Sequence, residues 1–272
     1  MLELSYAQRQ ALYVFFTVYI SSSVLLLYNL TQFREKKAIP SAVTRAILLR
    51  AKDESHGCRR LAWVLTVLEI VLISLFQHGL VAVLNTITGD LLDTGTNYFG
   101  MIFFMPFLLA MYCWMLGLDP FRQIDLITPA YPLALFFMKI ACFCAGCCKG
   151  IVFEHGMQNY ETGDVEFPIQ LLEAAVALIL FLYFHFYRRK AQSGTLLPKY
   201  IVSYCTIRFF SEFLRKEPAV FGPLKKYHIL CLAGILLGSF LLYLLTRHRK
   251  SIASVFEHSL PALLSRKKAD PT

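Results

Sequence analysis

Long apolar blocks are the feature that most constrains how this chain can fold. Seven segments rich in Leu, Ile, Val, Phe and Ala follow one another, at about residues 11–30, 61–84, 98–118, 124–148, 168–187, 200–213 and 227–245. A helix needs about 20 apolar residues to cross the hydrocarbon core of a bilayer. Hydrophobic residues make up 57% of the chain and charged residues 17%, far from the composition of a soluble domain. The sequence predicts an all-α polytopic membrane protein with about seven transmembrane helices.

Two of these blocks carry residues that are unusual in a membrane helix. The fourth contains Pro129 and Pro132 as well as Lys139, so we expect a bent or partly re-entrant segment. The sixth is short and contains Arg208 and Glu212. A hydropathy scan alone would overlook it.

The basic residues between the blocks predict an orientation, because Lys and Arg are retained on the cytoplasmic side during insertion. With an external N-terminus, most of them fall on the inner side, including Arg59-Arg60 and the run Arg188-Arg189-Lys190. The C-terminus is then cytoplasmic. The net charge of +9 follows from this bias and does not indicate nucleic acid.

The chain is predicted to form a single integral membrane domain over residues 1–250. Its first inner loop, residues 31–60, is basic, and a basic cytoplasmic tail follows at 251–272. The N-terminus lacks the basic start and small-residue cleavage pattern of a secretory signal peptide. We expect the first apolar block to be a retained anchor.

A polar stripe runs along the sixth block. Tyr204, Arg208, Glu212 and Arg215 follow one another in steps of four, four and three, which puts them on one face of a helix with Arg208 and Glu212 able to pair. Ionisable groups inside a membrane usually mark function. We expect a site for an anionic head group, because the arginine fork binds phosphate in a bidentate manner. The alternative is an ion pair that pins two helices.

A second polar cluster opens the fifth block. Pro168 suits the first turn of a helix, and Gln170 and Glu173 follow on one side of that helix. They either satisfy backbone groups at the helix start, or bring a carboxylate to face Arg208 or Arg215.

The third cluster contains four cysteines within seven residues, Cys142, Cys144, Cys147 and Cys148. Their spacing matches no standard zinc pattern, so no metal and no cofactor is expected. Small residues that admit close helix packing, a disulfide on an oxidising face, and a nucleophile or thiol pair at Cys147 and Cys148 all stay open.

Together these clusters resemble the prolipoprotein diacylglyceryl transferase family. Its last motif, a tyrosine, an arginine, a glutamate and an arginine in this spacing, is complete in Tyr204, Arg208, Glu212 and Arg215. Its preceding motif, a proline followed by x-Q-L-x-E, is matched at Pro168–Glu173. Order and rough spacing agree from about Gly89 to Arg215. The family is membrane-embedded, with seven helices and an external N-terminus.

The central motif matches in outline only, as C-F-x-x-G-C-C-x-G. Lys139 occupies the position of a family arginine that contacts the lipid phosphate. Cys142 occupies the position of an asparagine and Cys147 that of an acidic residue, and the final glycine of the motif is present as Gly150. The lysine keeps the charge but loses the bidentate fork. By resemblance, Lys139, Cys142, Gly150, Gln170 and Arg215 bind substrate.

The family's outer-face histidine is absent from its usual place. Counting back from Lys139 without a gap puts Phe99 there. A base is needed to generate the thiolate nucleophile, and His155, His78 and Glu173 are the candidates.

The resemblance implies transfer of a diacylglyceryl group from phosphatidylglycerol to the lipobox cysteine of a prolipoprotein signal peptide, at a bacterial cytoplasmic membrane. Arg208, Glu212, Tyr204, Glu173 and His155 are the expected catalytic residues. Two alternatives stay open, a divergent lipid or phosphoglycerol transferase of the same fold with another acceptor, and a membrane thiol-redox protein.

Overall fold

Helices dominate the part of the chain that the structure describes. This computed structural model describes residues 120–158 and 163–247, with Gln8 and scattered helical residues between 98 and 111. The predicted helices at 11–30 and 61–84, the loop 31–60, His78 and the tail 251–272 lie outside the described residues.

The described helices follow the predicted blocks closely. They are α1 (Pro120–Ile127), α2 (Ala130–Ala145), α3 (Ile169–Tyr187), α4 (Leu196–Ser211) and α5 (Lys226–Arg247), and a 3-10 helix (Glu212–Leu214) directly follows α4. As Pro129 predicts, the fourth block is not one regular helix, because a turn at Thr128–Pro129 separates α1 from α2.

Within the part of the chain that the structure describes, three stretches are long and apolar enough to cross a membrane, Pro120–Ala145, Ile169–Tyr187 and Lys226–Arg247. Large apolar side chains on α3 and α5 point outward, with Ile179 64% and Leu236 72% exposed. An apolar surface of this kind suits lipid better than water. Helix α4 is not among the three, as its short length and its charges predict.

Contacts divide the chain into two compact units, one of which contains Thr128–Tyr243. In this unit α2 packs most extensively against α3, and α3 also packs against α4. Aromatic rings form the core. Tyr131 stacks on Tyr200 with centroids 6.3 Å apart, and Phe184 meets Tyr200 edge to face at 5.5 Å. Each such pair contributes about 0.5–1.5 kcal/mol beyond burial.

Helix α5 approaches α4 closely at Gly238. A Cβ atom added there would lie 2.9 Å from a methyl group of Val202 and 3.2 Å from the carbonyl oxygen of Pro198. Small residues at such crossings let helix backbones come together in a membrane. The N-terminal end of α5 contacts the site described below, through Tyr227.

The prediction of an all-α fold missed two short hairpins in the loops. Strand β1 (Val152–Gln158) pairs antiparallel with β2 (Val165–Glu166), and β3 (Ala219–Phe221) pairs with β4 (Leu224–Lys225). Both are two-stranded, and pairing satisfies backbone groups that an irregular loop would leave to other partners.

The second unit contains α1 and the described residues between 98 and 111. Phe99, which occupies the position expected for the family's histidine, is helical and buried. Its ring stacks on Phe103 with centroids 6.2 Å apart.

Candidate active site

The buried carboxylate of Glu173, one turn into α3, is the centre of the polar cluster. Lys139 of α2 places its ammonium 2.7 Å from Oε2, and Arg215 donates from Nη2 to Oε2 at 2.8 Å and from Nε to Oε1 at 3.2 Å. Arg208 of α4 donates from Nη1 to Oε1. Three cations from three parts of the chain therefore meet at one carboxylate. The prediction that Glu173 faces Arg208 or Arg215 is confirmed for both.

The pairing of Arg208 with Glu212 at i, i+4 is also confirmed. Nη2 of Arg208 lies 2.7 Å from Oε2 of Glu212, and Nε of Arg215 lies 3.8 Å from the same oxygen. The two carboxylates are bridged by the same two arginines, so Arg208, Glu212 and Arg215 form one connected network with Glu173. The predicted helical face does not continue to Arg215, because α4 ends at Ser211 and Arg215 is extended.

This network is almost sealed from solvent. Its five charged side chains, Lys139, Glu173, Arg208, Glu212 and Arg215, have exposed fractions between 0% and 9%. Within this cluster three cations face two carboxylates, which leaves one positive charge in excess. A buried charge is costly unless it is paired. The cluster is therefore suited to bind an anion.

Arg215 lies beyond the 3-10 helix, in an extended conformation. Burial alone would lower the pKa of Arg215, but attraction to the Glu173 carboxylate outweighs it and raises the pKa well above the usual value. The guanidinium is thus charged at every physiological pH.

An apolar cavity of about 220 Å³ opens beside the charged network. Lys139, Glu173, Tyr204, Arg208 and Ser211 line its polar side. Its apolar lining consists of Leu135, Leu172, Val176, Leu180, Ile207, Phe210 and Leu214. A cavity with one cationic side and one apolar side is suited to bind a molecule with an anionic head group and an aliphatic chain.

The loop after α2 is fastened to the network by its backbone. Gly150 pairs with Arg215 in an antiparallel bridge, and Ile151 donates its N–H to the carbonyl of Leu214 at 3.0 Å. A Cβ atom on Gly150 would lie 2.1 Å from the carbonyl oxygen of Phe167, so only glycine fits there. Gln170 donates from Nε2 to the carbonyl of Cys147 at 2.5 Å, which ties the start of α3 to the same loop.

Of the predicted cysteines, Cys142 is buried near the end of α2, and Cys147 and Cys148 are half-buried in the following loop. Their sulfur atoms all lie within 4.8 Å of one another. Cys144 is exposed and is not part of this group.

His155, a predicted candidate for the base, lies on the exposed face of β1. Its ring is 6.0 Å from that of Phe153. Within the described residues, no ion pair joins it to Glu173, whose contacts are with the three cations and Ser211.

Three neighbours of the network did not emerge from the sequence patterns. Ser211 places its hydroxyl 3.4 Å from Oε1 of Glu173. Lys225 donates from Nζ to the carbonyl of Glu212 at 2.8 Å and to that of Arg215. The Tyr227 ring lies 5.5 Å from the Arg208 guanidinium carbon, a cation–π distance. Ser211 lies three residues after Arg208, so helical spacing could have predicted that it shares a face with this arginine. Lys225 and Tyr227 lie near the site only because the β3–β4 hairpin returns the chain to it.

The fold and the site together define a class, a helical membrane protein with a buried cationic cluster beside an apolar cavity. Within that class the family is shown by sequence. The model of the prolipoprotein diacylglyceryl transferase family matches residues 16–244, and the chain belongs to this family.

Curated relatives agree with this assignment at modest identity. The chain is 28% identical over 137 residues to a phosphatidylglycerol–prolipoprotein diacylglyceryl transferase of Clostridium tetani, which covers 47% of this chain and 54% of the relative. It is 31% identical over 128 residues to the enzyme designated transferase 2 in Clostridium perfringens, covering 44% and 50%. The chain spans about half the length of these relatives.

Proposed function

We propose that this protein transfers a diacylglyceryl group from phosphatidylglycerol to the thiol of a prolipoprotein cysteine. The observation that carries the proposal is the buried network in which Lys139, Arg208 and Arg215 outnumber Glu173 and Glu212. Family membership supports the same reaction, since its curated relatives bear that activity in their names.

The donor lipid is anionic and fits this electrostatic setting. A phosphodiester beside Lys139 and the two arginines supplies the missing negative charge and accepts charge-assisted hydrogen bonds. As the leaving group forms, its phosphate gains negative charge, which preorganised cations stabilise more strongly than the ground state. The apolar side of the cavity, with residues such as Leu172 and Leu180, holds the start of the acyl chains.

The reaction needs one bond made and one broken. The acceptor thiolate attacks the phosphate-bearing carbon of the glycerol unit that carries the two acyl chains. A C–S thioether bond forms there, and the bond from that carbon to the phosphate oxygen breaks. The electron pair leaves with glycerol phosphate, and the thiol proton goes to a base. Each step uses groups of the protein and its two substrates, with no metal or nucleotide required.

The residue that takes the thiol proton is proposed to be His155. Both oxygens of Glu173 are engaged by cations, so this carboxylate serves as the anchor of the network. An exposed imidazole on β1 is accessible to an acceptor peptide that arrives from the aqueous side. Arg208, Tyr204 and Glu212 act on the lipid side, with Cys142, Gly150 and Gln170 shaping the adjoining loop.

The acceptor is proposed to be a prolipoprotein signal peptide with a lipobox cysteine, and the location the cytoplasmic membrane of a bacterium. The topology proposed for this role has seven spans, an external N-terminus and a cytoplasmic C-terminus. It brings the ends of the fourth and sixth spans, and the start of the fifth, to the outer leaflet. Three candidate spans in the described residues support the multi-pass arrangement.

Complementation is the direct test. The chain is expressed in a bacterial strain depleted of its own diacylglyceryl transferase, and the N-terminal peptide of a reporter lipoprotein is analysed by mass spectrometry. The expected result is growth and a peptide carrying the diacylglyceryl mass. An expressed, membrane-inserted chain that leaves the reporter cysteine unmodified would contradict the proposal.

A further inference from the structure

The end of α2 gathers three sulfur atoms by local backbone geometry. Gly146 adopts the left-handed conformation at φ 73°. Its N–H bonds to the carbonyl of Phe143 at 3.2 Å, and the N–H of Cys147 bonds to that of Cys142 at 3.1 Å. This is the Schellman ending of a helix, which brings the side chains of the residues corresponding to Cys142 and Cys147 into contact.

Cys148 completes the group through an unusual backbone conformation. Its φ of 61° is rare for a residue other than glycine and is maintained only where surrounding contacts demand it. Those contacts are present, since Gln170 holds the carbonyl of Cys147 and Gly150 pairs with Arg215. The three sulfur atoms, all within 4.8 Å of one another, thus belong to the end of α2 and to a loop that is held by these contacts.

Positive charge acts on the sulfur atom of Cys148. Cys148 interacts electrostatically with Lys139 and Arg215, and both cations stabilise negative charge on sulfur. Cys142 is buried and the other two cysteines are half-buried. The group is therefore partly shielded from water, with compensating positive charge beside it.

We propose that Cys142, Cys147 and Cys148 form a three-thiolate binding site for a thiophilic d10 cation, Zn²⁺ or Cu⁺. Thiolates are the ligands that select these ions. Zinc–sulfur bonds of about 2.3 Å in a tetrahedron place sulfur atoms roughly 3.8 Å apart, so the observed cluster closes onto a cation with shifts of at most about 1 Å. Each coordinating thiol releases its proton to solvent.

Three protein ligands leave one coordination position of a tetrahedral ion for water or an exchangeable thiol. The site joins the end of α2 to the loop that pairs with Arg215.

Metal titration of the full-length protein tests the proposal without reference to transfer activity. The protein, purified in detergent under reducing conditions and freed of metal with a chelator, is titrated with Co²⁺ as a spectroscopic probe of the Zn²⁺ site, and separately with Cu⁺. We expect one equivalent to bind with sulfur-to-metal charge-transfer absorption, and Zn²⁺ to displace Co²⁺. Cys142→Ser, Cys147→Ser and Cys148→Ser should each weaken binding by more than the roughly 10–100-fold that loss of an outer-shell partner costs, whereas the exposed Cys144→Ser should bind as the unaltered protein does.

A second measurement uses the unaltered chain, so that it does not depend on the folding of variants. Thiol alkylation followed by peptide mass spectrometry, with and without Zn²⁺, should show metal protection of the three ligands and continued alkylation of Cys144. Absence of stoichiometric binding with all three thiols free, or equal protection of Cys144, would overturn the proposal. A disulfide among the three in protein isolated from cells without reductant would also overturn it, in favour of a redox role.

Discussion

The ammonium nitrogen of Lys139 lies 2.7 Å from Oε2 of Glu173, and this contact joins α2 to α3. Glu173 also binds Arg208 and Arg215, so the lysine is the one of these three cations that precedes Glu173 in the chain. It ties the divergent central motif to the two motifs that match the family well. One network therefore joins Lys139, Glu173, Arg208, Glu212 and Arg215.

Replacement of Arg208 should abolish diacylglyceryl transfer. Arg208→Ala removes the group that bridges Glu173 and Glu212, and loss of one partner from a buried ion pair costs about 3–5 kcal/mol. Transfer to a lipobox peptide in detergent micelles and thermal unfolding of the same sample measure the two effects. Lys216→Ala is the control, because Lys216 forms a surface pair with Asp164 and is 47% exposed, and its loss should change stability by less than about 0.5 kcal/mol. Equal activity of the two variants would refute the role of Arg208.

Lys139 should govern use of the anionic donor. Lys139→Ala leaves Glu173 with two arginines, so the fold should survive, whereas loss of one positioned cation should slow transfer by about 10²–10³-fold. Lys139→Arg should retain activity, because it keeps the charge and adds the bidentate fork. Initial rates over a range of phosphatidylglycerol concentrations provide the measurement. The exposed Lys190→Ala serves as the matched lysine control, and a Lys139→Ala rate equal to its rate would contradict the assignment.

Gly150 should tolerate no side chain. In Gly150→Ala the new Cβ meets the carbonyl oxygen of Phe167 at 2.1 Å, and relief of such a clash costs about 1–3 kcal/mol. Thermal unfolding should therefore occur at a lower temperature, with reduced transfer because Arg215 pairs with Gly150. Gly163→Asn is the control. Gly163 has φ 73° and open space around it, and Asn accepts this conformation more readily than most residues. Unchanged unfolding of Gly150→Ala would show that the loop yields easily.

The proposed base can be tested without disturbing the fold. His155 is exposed on β1, so His155→Ala should leave thermal unfolding unchanged and lower the transfer rate by about 10²–10⁴-fold, the usual contribution of general base catalysis. The control is His185→Gln on α3, whose ring contacts Phe181 at 5.5 Å and which has no proposed part in the reaction. If His155→Ala transfers lipid at the normal rate, the thiol proton goes to another group.

Local periodicity explains how much of the site was predictable. The spacing of Arg208 and Glu212 predicts a pair along one helix, and that pair exists at 2.7 Å. The proline before Gln170 predicts the start of α3, which begins at Ile169. Both inferences concern neighbours within a few residues, where helix geometry alone sets the distance.

Other features follow from backbone geometry that residue spacing alone does not reveal. The spacing of the cysteines gave no standard metal pattern, yet the helix end at Gly146 and the positive φ of Cys148 bring three sulfur atoms together. The hairpins were missed for a similar reason, since β2 is only two residues long and carries too few residues for an alternating pattern.

The sequence by itself determined the membrane character of this protein, the order of its helices in the described region and the pairing of Arg208 with Glu212, because hydropathy and helical spacing are local properties. Only the tertiary structure decided that Glu173 would be the common partner of Lys139, Arg208 and Arg215, and that the cysteine loop would lie beside them. Burial supplies the physical reason. Charges that are removed from water are tolerated only when they are paired. Which residues pair depends on how segments that are distant in the sequence pack together.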